Sequence, residues 1–277
     1  MLNCAVIVVT HNSDATWPDV CKSIAALVPA PVELCVVDNR SDTAPPLPAE
    51  LASTVQRILN QGNRGFAVAS NQGAAATAAE WLLFLNPDCF LRQGDLQALL
   101  QAANQLPELG ILGAQLVNAD GSLQQASCRD DPTPRRLLSG LTSLASRRSR
   151  PLRPGLAAVD AVSGALMLMP RRVFEQVGGF DPSYRLHCED LDLCRRVRQA
   201  GYTVAIASEI KVTHLKGTSS RRRPIWVEWQ KHVGMWRYYR KFDRAGAPFG
   251  LSGLVLLGLC LRFPLSALRA WWQARRG

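Results

Sequence analysis

Apolar and polar positions alternate in blocks along this chain. Residues 4–9 form an unbroken apolar run rich in β-branched side chains, and Thr10-His11-Asn12-Ser13 follows at once. Such a run between polar stops predicts a buried parallel strand. Trp17, Val20, Cys21, Ile24, Leu27 and Val28 then recur at helical spacing, which predicts an amphipathic helix lying on the sheet. Residues 33–37 predict a second strand ending in Asp38-Asn39-Arg40-Ser41-Asp42. A third, at 55–59, ends in Asn60-Gln61-Gly62-Asn63-Arg64-Gly65-Phe66-Ala67. An alanine-rich helix is expected from Asn71 through Glu80. Residues 81–85 predict a buried strand that runs into Asn86-Pro87-Asp88. A helix over 95–106, with Leu96, Leu99, Leu100 and Ala103 on one face, leads to a strand at 110–117 and the turn Asn118-Ala119-Asp120-Gly121. This order predicts an open α/β sheet whose polar loops share one rim.

The rhythm breaks at 127–158, which holds four prolines and seven arginines, Arg129 among them. A connection of this length is a lid or acceptor-binding segment, partly helical at 137–144, or else a solvated basic loop. Residues 159–169 resume as one apolar strand interrupted by Ser163-Gly164-Ala165. A short helix at 171–177 ends at Gly178-Gly179. Glu189, Asp190 and Asp192 crowd the start of a further helix whose arginines sit near its end, as the helix dipole favours. Two short strands, 204–206 and 211–213, precede His214.

Charge changes the picture of the second half. Residues 1–125 carry 5 basic and 11 acidic side chains, whereas residues 126–277 carry 27 and 11. A basic half calls for an anionic partner: nucleotide phosphates, an anionic membrane face or nucleic acid. No nucleic-acid recognition motif is visible, and a nucleic-acid-binding protein would have no use for the ordered acidic clusters. The eight cysteines form no C-x-x-C pair, which argues against a zinc ribbon and suits a reducing, cytoplasmic compartment. The N-terminal residues read as a first strand, not a signal peptide.

The candidate chemistry lies where strands end. A carboxylate at the carboxyl end of a buried strand is where open α/β sheets bind ligands, and Pro87 fixes the backbone just before Asp88. Asp88 is thus a candidate for a divalent metal on a nucleotide diphosphate, although Asn86-Pro87-Asp88 read alone favours a simple turn. Asp190 and Glu189 are candidates for a general base, or else merely serve the helix dipole. His214, after a strand, is a candidate metal ligand or a structural histidine. The stretch 60–67 is neither G-x-G-x-x-G nor a P-loop.

Taken in order, these clusters, with Gly178-Gly179-Phe180-Asp181, Glu189-Asp190-Leu191-Asp192-Leu193-Cys194 and His214-Leu215-Lys216-Gly217-Thr218-Ser219, resemble family 2 inverting glycosyltransferases, in particular their rhamnosyltransferase-like branch. The resemblance spans roughly residues 4–220. It implies a GT-A fold: a Rossmann-like α/β sheet, mixed but mostly parallel, flanked by helices, here with a C-terminal helical appendage. It implies that Thr10, Asn12 and Asp38 lie near the donor nucleoside and that Asn63, Arg64 and Gly65 wall the nucleotide. Asp88 matches the last residue of the D-x-D motif that holds Mg²⁺ or Mn²⁺ on the diphosphate, and His214 matches a histidine that completes the metal shell in some relatives. Asp190 matches the base, with Glu189 beside it. The implied activity is inverting transfer of a sugar, such as rhamnose from dTDP-rhamnose or a UDP- or GDP-linked sugar, to a glycan or polyprenyl-linked acceptor in cell-surface polysaccharide biosynthesis. Two departures are plain: His11 stands where the family usually has Tyr, and the D-x-D position keeps one carboxylate.

The pattern divides the chain into a glycosyltransferase-like domain at 1–220, with the basic loop at 128–158, and a tail at 221–277. In the tail, Trp226, Trp229, Trp236, Tyr238 and Tyr239 interleave with Lys231, Arg237, Arg240 and Lys241. An apolar run over 249–261 then stops at Arg262. Thirteen residues fall short of the ~20 that span a bilayer. The tail therefore reads as an interfacial anchor, peripheral on the cytoplasmic face of the inner membrane, with a helical hairpin packed on the domain and a tilted span from Ala245 as alternatives.

Overall fold

The computed structural model describes residues 3–25, 32–47, 55–134, 136, 154–215 and 223–276. The strands are β1 (Cys4–Thr10), β2 (Val32–Asp38), β3 (Val55–Leu59), β4 (Trp81–Leu85), β5 (Cys89–Phe90), β6 (Leu109–Val117), β7 (Cys128–Arg129), β8 (Leu156–Ala158), β9 (Ala161–Val162), β10 (Leu166–Pro170) and β11 (Thr203–His214). The helices are α1 (Trp17–Ala25), α2 (Phe66–Ala75), α3 (Asp95–Asn104), α4 (Arg171–Gln176), α5 (Glu189–Gln199), α6 (Pro224–Phe242) and α7 (Leu251–Arg276). Nine strands form one sheet in the order β3-β2-β1-β4-β10-β6-β11-β5, with β8 beside β11. β1 pairs parallel with β2 and β4, β2 with β3, and β6 with β11, whereas β10 runs antiparallel between β4 and β6. The sheet is therefore mixed and mostly parallel, flanked by helices on both faces, as the resemblance implies.

Burial on both faces explains the unbroken apolar runs. In β1, Ala5, Ile7 and Val9 enter one core, and Cys4, Val6 and Val8 enter the other. The first core holds residues of α2, α5 and α6, and the second holds those of α1 and α3. The carboxyl ends of β1, β2, β3, β4, β6 and β11 share one rim, because all six run the same way. The polar clusters after them therefore meet, although they are far apart in sequence.

Four expectations are corrected. The helix expected from Asn71 to Glu80 spans Phe66–Ala75 instead. It starts after Gly65, whose φ of 87° suits glycine. Asn71 lies inside it and bonds the Phe180 backbone both ways, at 2.8 and 2.9 Å. The single strand expected over 159–169 is divided. β9 pairs with β7 in a separate ribbon, Ser163-Gly164 turns the chain, and β10 enters the main sheet. The two strands expected at 204–206 and 211–213 are one, interrupted by an irregularity between Ala207 and Lys211. The helix does not end with the apolar run at Arg262. α7 continues to Arg276 through Arg262 and Pro264, which makes it long and apolar enough to cross a membrane. Arg262 does not stop the helix because its guanidinium lies on the packed side. The core also continues past residue 220, since Met235, Tyr238 and Tyr239 of α6 and Val255 and Leu259 of α7 join it. The helix expected around 137–144 and the Lys216-Gly217-Thr218-Ser219 stretch lie outside the described residues, as do Leu27 and Val28.

Candidate active site

The rim begins with Asp38. It pairs across the sheet with Thr10, whose Oγ1 donates to Asp38 Oδ1 at 3.2 Å. Ser41 Oγ donates to the same oxygen at 2.6 Å, and the Ser41 N–H lies 3.2 Å from it. Ser41 Oγ also accepts from the Asn12 N–H, and Asn12 Oδ1 accepts from the Asp42 N–H at 2.8 Å. Asn12 and Arg40 hold left-handed backbone conformations, with φ of 52° and 66°, which turn the two loops toward each other. The next residue, Asn39, ties the third strand's loop to this pair. Its side chain donates to Gly65 O and Asn63 Oδ1 and accepts from the Arg64 N–H and Asn60 Nδ2. Sequence pattern assigns Asn39 no role; its position beside the predicted Asp38 was the available signal. A Cβ on Gly65 would sit 2.7 Å from Arg185 O, so this loop presses on the chain that leads into α5.

The second part is built by β5 and β11. Their antiparallel register sets His214 opposite Cys89, and the Leu215 N–H donates to Asp88 O at 2.9 Å. Thr16 Oγ1 donates to Pro87 O at 2.6 Å and braces the Asn86-Pro87-Asp88 loop. His214 Nε2 then lies 3.3 Å from Asp88 Oδ1. The tautomer follows from Gln124. Its Nε2 is spent on His214 O and Asn118 Oδ1, at 2.7 and 2.8 Å, so its Oε1 faces His214 Nδ1 at 3.0 Å. Nδ1 therefore carries a proton, and Nε2 is the nitrogen turned toward the Asp88 carboxylate. Ligand atoms of Asp88, Cys89 and His214 lie within 4.8 Å of one another. Burial, then the neighbouring Asp88 charge, pushes the Cys89 thiol well above its ordinary range, so it stays a neutral thiol. A carboxylate and an imidazole nitrogen converging in this way fit a divalent cation, whose remaining positions need other oxygens.

The third part is the start of α5. His187 and Cys188 hold consecutive left-handed conformations, with φ of 67° and 71°, unusual for side chains of their size. Asp190 Oδ2 accepts from the Gly164 N–H at 3.0 Å and is ion-paired with Arg129. Its Oδ1 takes the Leu191 N–H at 2.8 Å. Burial, the largest single influence, would lower the Arg129 pKa, but the charge and hydrogen bond of Asp190, together with the neighbouring Cys188 and Cys194, raise it on balance. Glu189 is buried, and its Oε2 has no hydrogen-bond partner among the described residues. Burial first, then the Asp190 charge, raises its pKa. Burial first, then Lys231, pushes His187 down to about 3. Asp192 is different in kind. It is fully buried and held by Arg196 Nε at 2.6 Å and Lys241 Nζ at 2.7 Å, so it locks α5 to α6.

Backbone contacts join the three parts. The Asn86 N–H donates to Ala165 O at 2.9 Å, next to the Gly164 that holds Asp190. Gly65 abuts Arg185, three residues before Cys188. Thr10, Asn12, Asp38, Asn63, Gly65, Asp88 and His214 thus lie along one rim, with Glu189 and Asp190 at the start of α5 beside it. The side chain of Arg64 points out to solvent, and only its backbone N–H enters the network. Arg129 and Gln124, which orient Asp190 and His214, carry no sequence signal of their own. Each sits in a polar or basic stretch resembling a solvated loop.

The glycosyl transferase family 2 model matches residues 5–178, and the glycosyl transferase family 21 model matches residues 153–236. An N-acetylglucosaminyl-diphospho-decaprenol L-rhamnosyltransferase of Mycobacterium tuberculosis is 28% identical over 242 residues, covering 79% of this chain and 78% of that protein. An O-antigen chain rhamnosyltransferase of Salmonella typhimurium is 25% identical, covering 76% of this chain and 65% of that protein. Among solved structures, a mannosyltransferase from Pyrobaculum calidifontis in complex with GDP-Man and Mn²⁺ superposes with a TM-score of 0.61 at 17% identity. That match covers 99% of this chain and 75% of the other. A GalNAc transferase with UDP, GalNAc and Mn²⁺ gives 0.60 at 17% identity, covering 92% of this chain and 54% of the other.

Proposed function

The chain belongs to glycosyl transferase family 2, and from that premise we propose that it transfers rhamnose from dTDP-rhamnose to a hydroxyl of a lipid-linked glycan in cell-surface polysaccharide biosynthesis. The two rhamnosyltransferase relatives support the sugar and the acceptor class. The observation that carries the reading is the convergence, on one sheet rim, of an Asp88–His214 pair with an Asp190 carboxylate held by Arg129. UDP- and GDP-linked sugars are the competing donors, and a panel decides between them.

In this reading Thr10, Asn12 and Asp38 receive the nucleoside, and the Asn63-Arg64-Gly65 backbone lines the nucleotide. Asp88 and His214 would hold Mn²⁺ or Mg²⁺, which when bound would supply charge neutralisation on the departing diphosphate; the imidazole ligand would favour Mn²⁺. Asp190 takes the proton of the acceptor hydroxyl as it attacks the anomeric carbon from the face opposite the diphosphate, so configuration inverts. The proton goes to Oδ1, which takes only the Leu191 N–H among the described residues. Arg129 and Gly164 hold the carboxylate in place. Glu189, kept protonated by burial, offers the acceptor a hydrogen bond. Residues 1–220 carry this chemistry. The tail at 221–277 attaches the enzyme to an anionic membrane surface, the cytoplasmic face of the inner membrane, where a lipid-linked acceptor is reached.

The test is nucleoside diphosphate release across dTDP-, UDP- and GDP-sugars with and without EDTA, for the natural chain and Asp88→Ala. Release from dTDP-rhamnose that needs metal and falls in the variant is expected. Release that EDTA does not lower and that is the same in both proteins refutes the metal site, and preference for another donor refutes the sugar.

A further inference from the structure

α7 has two faces. Leu251, Val255, Leu259 and Arg262 follow at intervals of four, four and three and lie on the packed side. Leu254, Leu257, Leu261, Leu265 and Leu268 follow at intervals of three, four, four and three and are all more than half exposed. These five share one side of the helix, because steps of three and four residues return to the same face. Trp229 of α6 is half exposed and meets Phe263 of α7 edge to face, with ring centroids 5.4 Å apart. Ile225 and Trp226, also exposed, lie one turn earlier on α6. The leucine stripe and the tryptophans therefore belong to one α6–α7 hairpin.

We infer that this hairpin docks flat on an anionic bilayer, with the leucine stripe of α7 and the tryptophans of α6 entering the interface and no segment crossing it. This rests on the membrane attachment proposed above and supplies its surface and its geometry. Two observations choose the occupant and the orientation. The first is charge. From residue 223 onward the chain carries ten basic and two acidic side chains, and α7 has no acidic residue. A second copy of this chain would bring like charge to the same face, whereas anionic lipid headgroups complement it. The second is length. α7 is fastened along α6, with Tyr239 Oη 2.9 Å from Ser252 Oγ and the His232 ring 5.4 Å from Phe263. α6 is itself fastened to the domain by Tyr238, by the Lys241–Asp192 pair and by Asp243, which binds Arg195 at 2.8 Å. The stretch from Ser252 to Phe263 is thus held against protein. The remaining stretch, 264–276, is about 20 Å of helix at 1.5 Å per residue, short of the ~30 Å hydrocarbon core. It also carries Arg269, Arg275 and Arg276.

α6 also reaches the catalytic loop. A Cβ on Gly234 would lie 2.9 Å from Cys188 Sγ and 3.1 Å from His187 O. α6 therefore packs directly behind the start of α5, which ties the docking hairpin to the element that carries Asp190.

The experiment is flotation of the full chain with vesicles of phosphatidylcholine alone and of phosphatidylcholine mixed with phosphatidylglycerol, at low and high salt. Wild type is expected to float with the anionic vesicles, less so at high salt, and to be released by alkaline carbonate. Leu261→Glu/Leu265→Glu changes only exposed positions, so its melting temperature matches wild type while its bound fraction falls at least about tenfold. Carbonate-resistant wild type overturns the flat geometry. A wild-type dimer that fails to float and becomes monomeric in the variant makes the stripe a self-association face and overturns the lipid assignment. Nucleoside diphosphate release with a soluble acceptor separates the two readings. Docking predicts equal rates for wild type and variant, and flotation without any release would refute the proposed reaction while leaving the docking intact.

Discussion

Replacing Arg129 with Met removes the cation beside Asp190 while keeping a long apolar side chain in its place. The two side chains are 19% and 11% exposed, so the pair is largely withdrawn from water. Breaking a buried pair by deleting one partner costs roughly 3–5 kcal/mol, because the remaining charge loses its counterion. Asp190 keeps the Gly164 and Leu191 N–H donors, which places the loss near the lower end, at about 3 kcal/mol. For a chain of this size that lowers Tm by about 6 °C or more. The catalytic signature is separate from the stability loss. Asp190 keeps two backbone N–H donors but loses the side chain that aims it, so kcat falls while the KM for the donor, which binds along the rest of the rim, stays near wild type. Arg129→Lys keeps the charge without the planar fork and falls between the two. Calorimetry and saturation kinetics of nucleoside diphosphate release suffice. An Arg129→Met enzyme with wild-type Tm and wild-type kcat would show that Arg129 neither supports nor aims Asp190.

Other perturbations probe other parts of the rim. Gln124→Ala frees the His214 ring to change tautomer and turn, and second-sphere losses of this kind weaken metal binding about 10–100-fold; Mn²⁺ titration of donor binding reads it, and an unchanged Mn²⁺ dependence would be fatal to the assignment. Glu189→Gln tests a carboxyl whose pKa rises on folding, so its stabilising contribution is complete below the ordinary glutamate range and is lost as pH rises through the raised folded value. Glutamine cannot ionise, so the variant gains on wild type in urea melts toward alkaline pH; parallel curves would contradict a raised pKa. Gly234→Ala drives a methyl into Cys188, costing about 1–3 kcal/mol by overpacking and displacing the start of α5. Adding Cys188→Gly removes the obstructing side chain at a left-handed position, and the double variant should regain both stability and kcat; one no better than the single variant argues against this contact.

Several of these features are legible in the chain itself. The apolar runs at 4–9 and 81–85 announce buried strands because a strand covered on both faces has no polar positions to spare. The leucines at 96, 99 and 100 announce a one-faced helix, and the polar residues after each strand mark the rim. These signals are local, since they depend only on which side of an element is buried. Thr10, Asp38, Asp88 and Asp190 were readable for that reason. What the tertiary structure alone decided is pairing across long separations. β10 enters antiparallel between β4 and β6, and that insertion brings Gly164 to Asp190. The β5–β11 register sets His214 opposite Cys89 and so beside Asp88. Arg129 meets Asp190 across 61 residues, and Gln124 meets His214 across 90. The continuation of α7 through Arg262 depends likewise on a packed face that α6 provides. No periodicity of two or 3.6 residues encodes such contacts, because they arise from the order in which strands assemble. The candidate site residues were visible one by one, and the partners that orient them became visible only once the sheet was assembled.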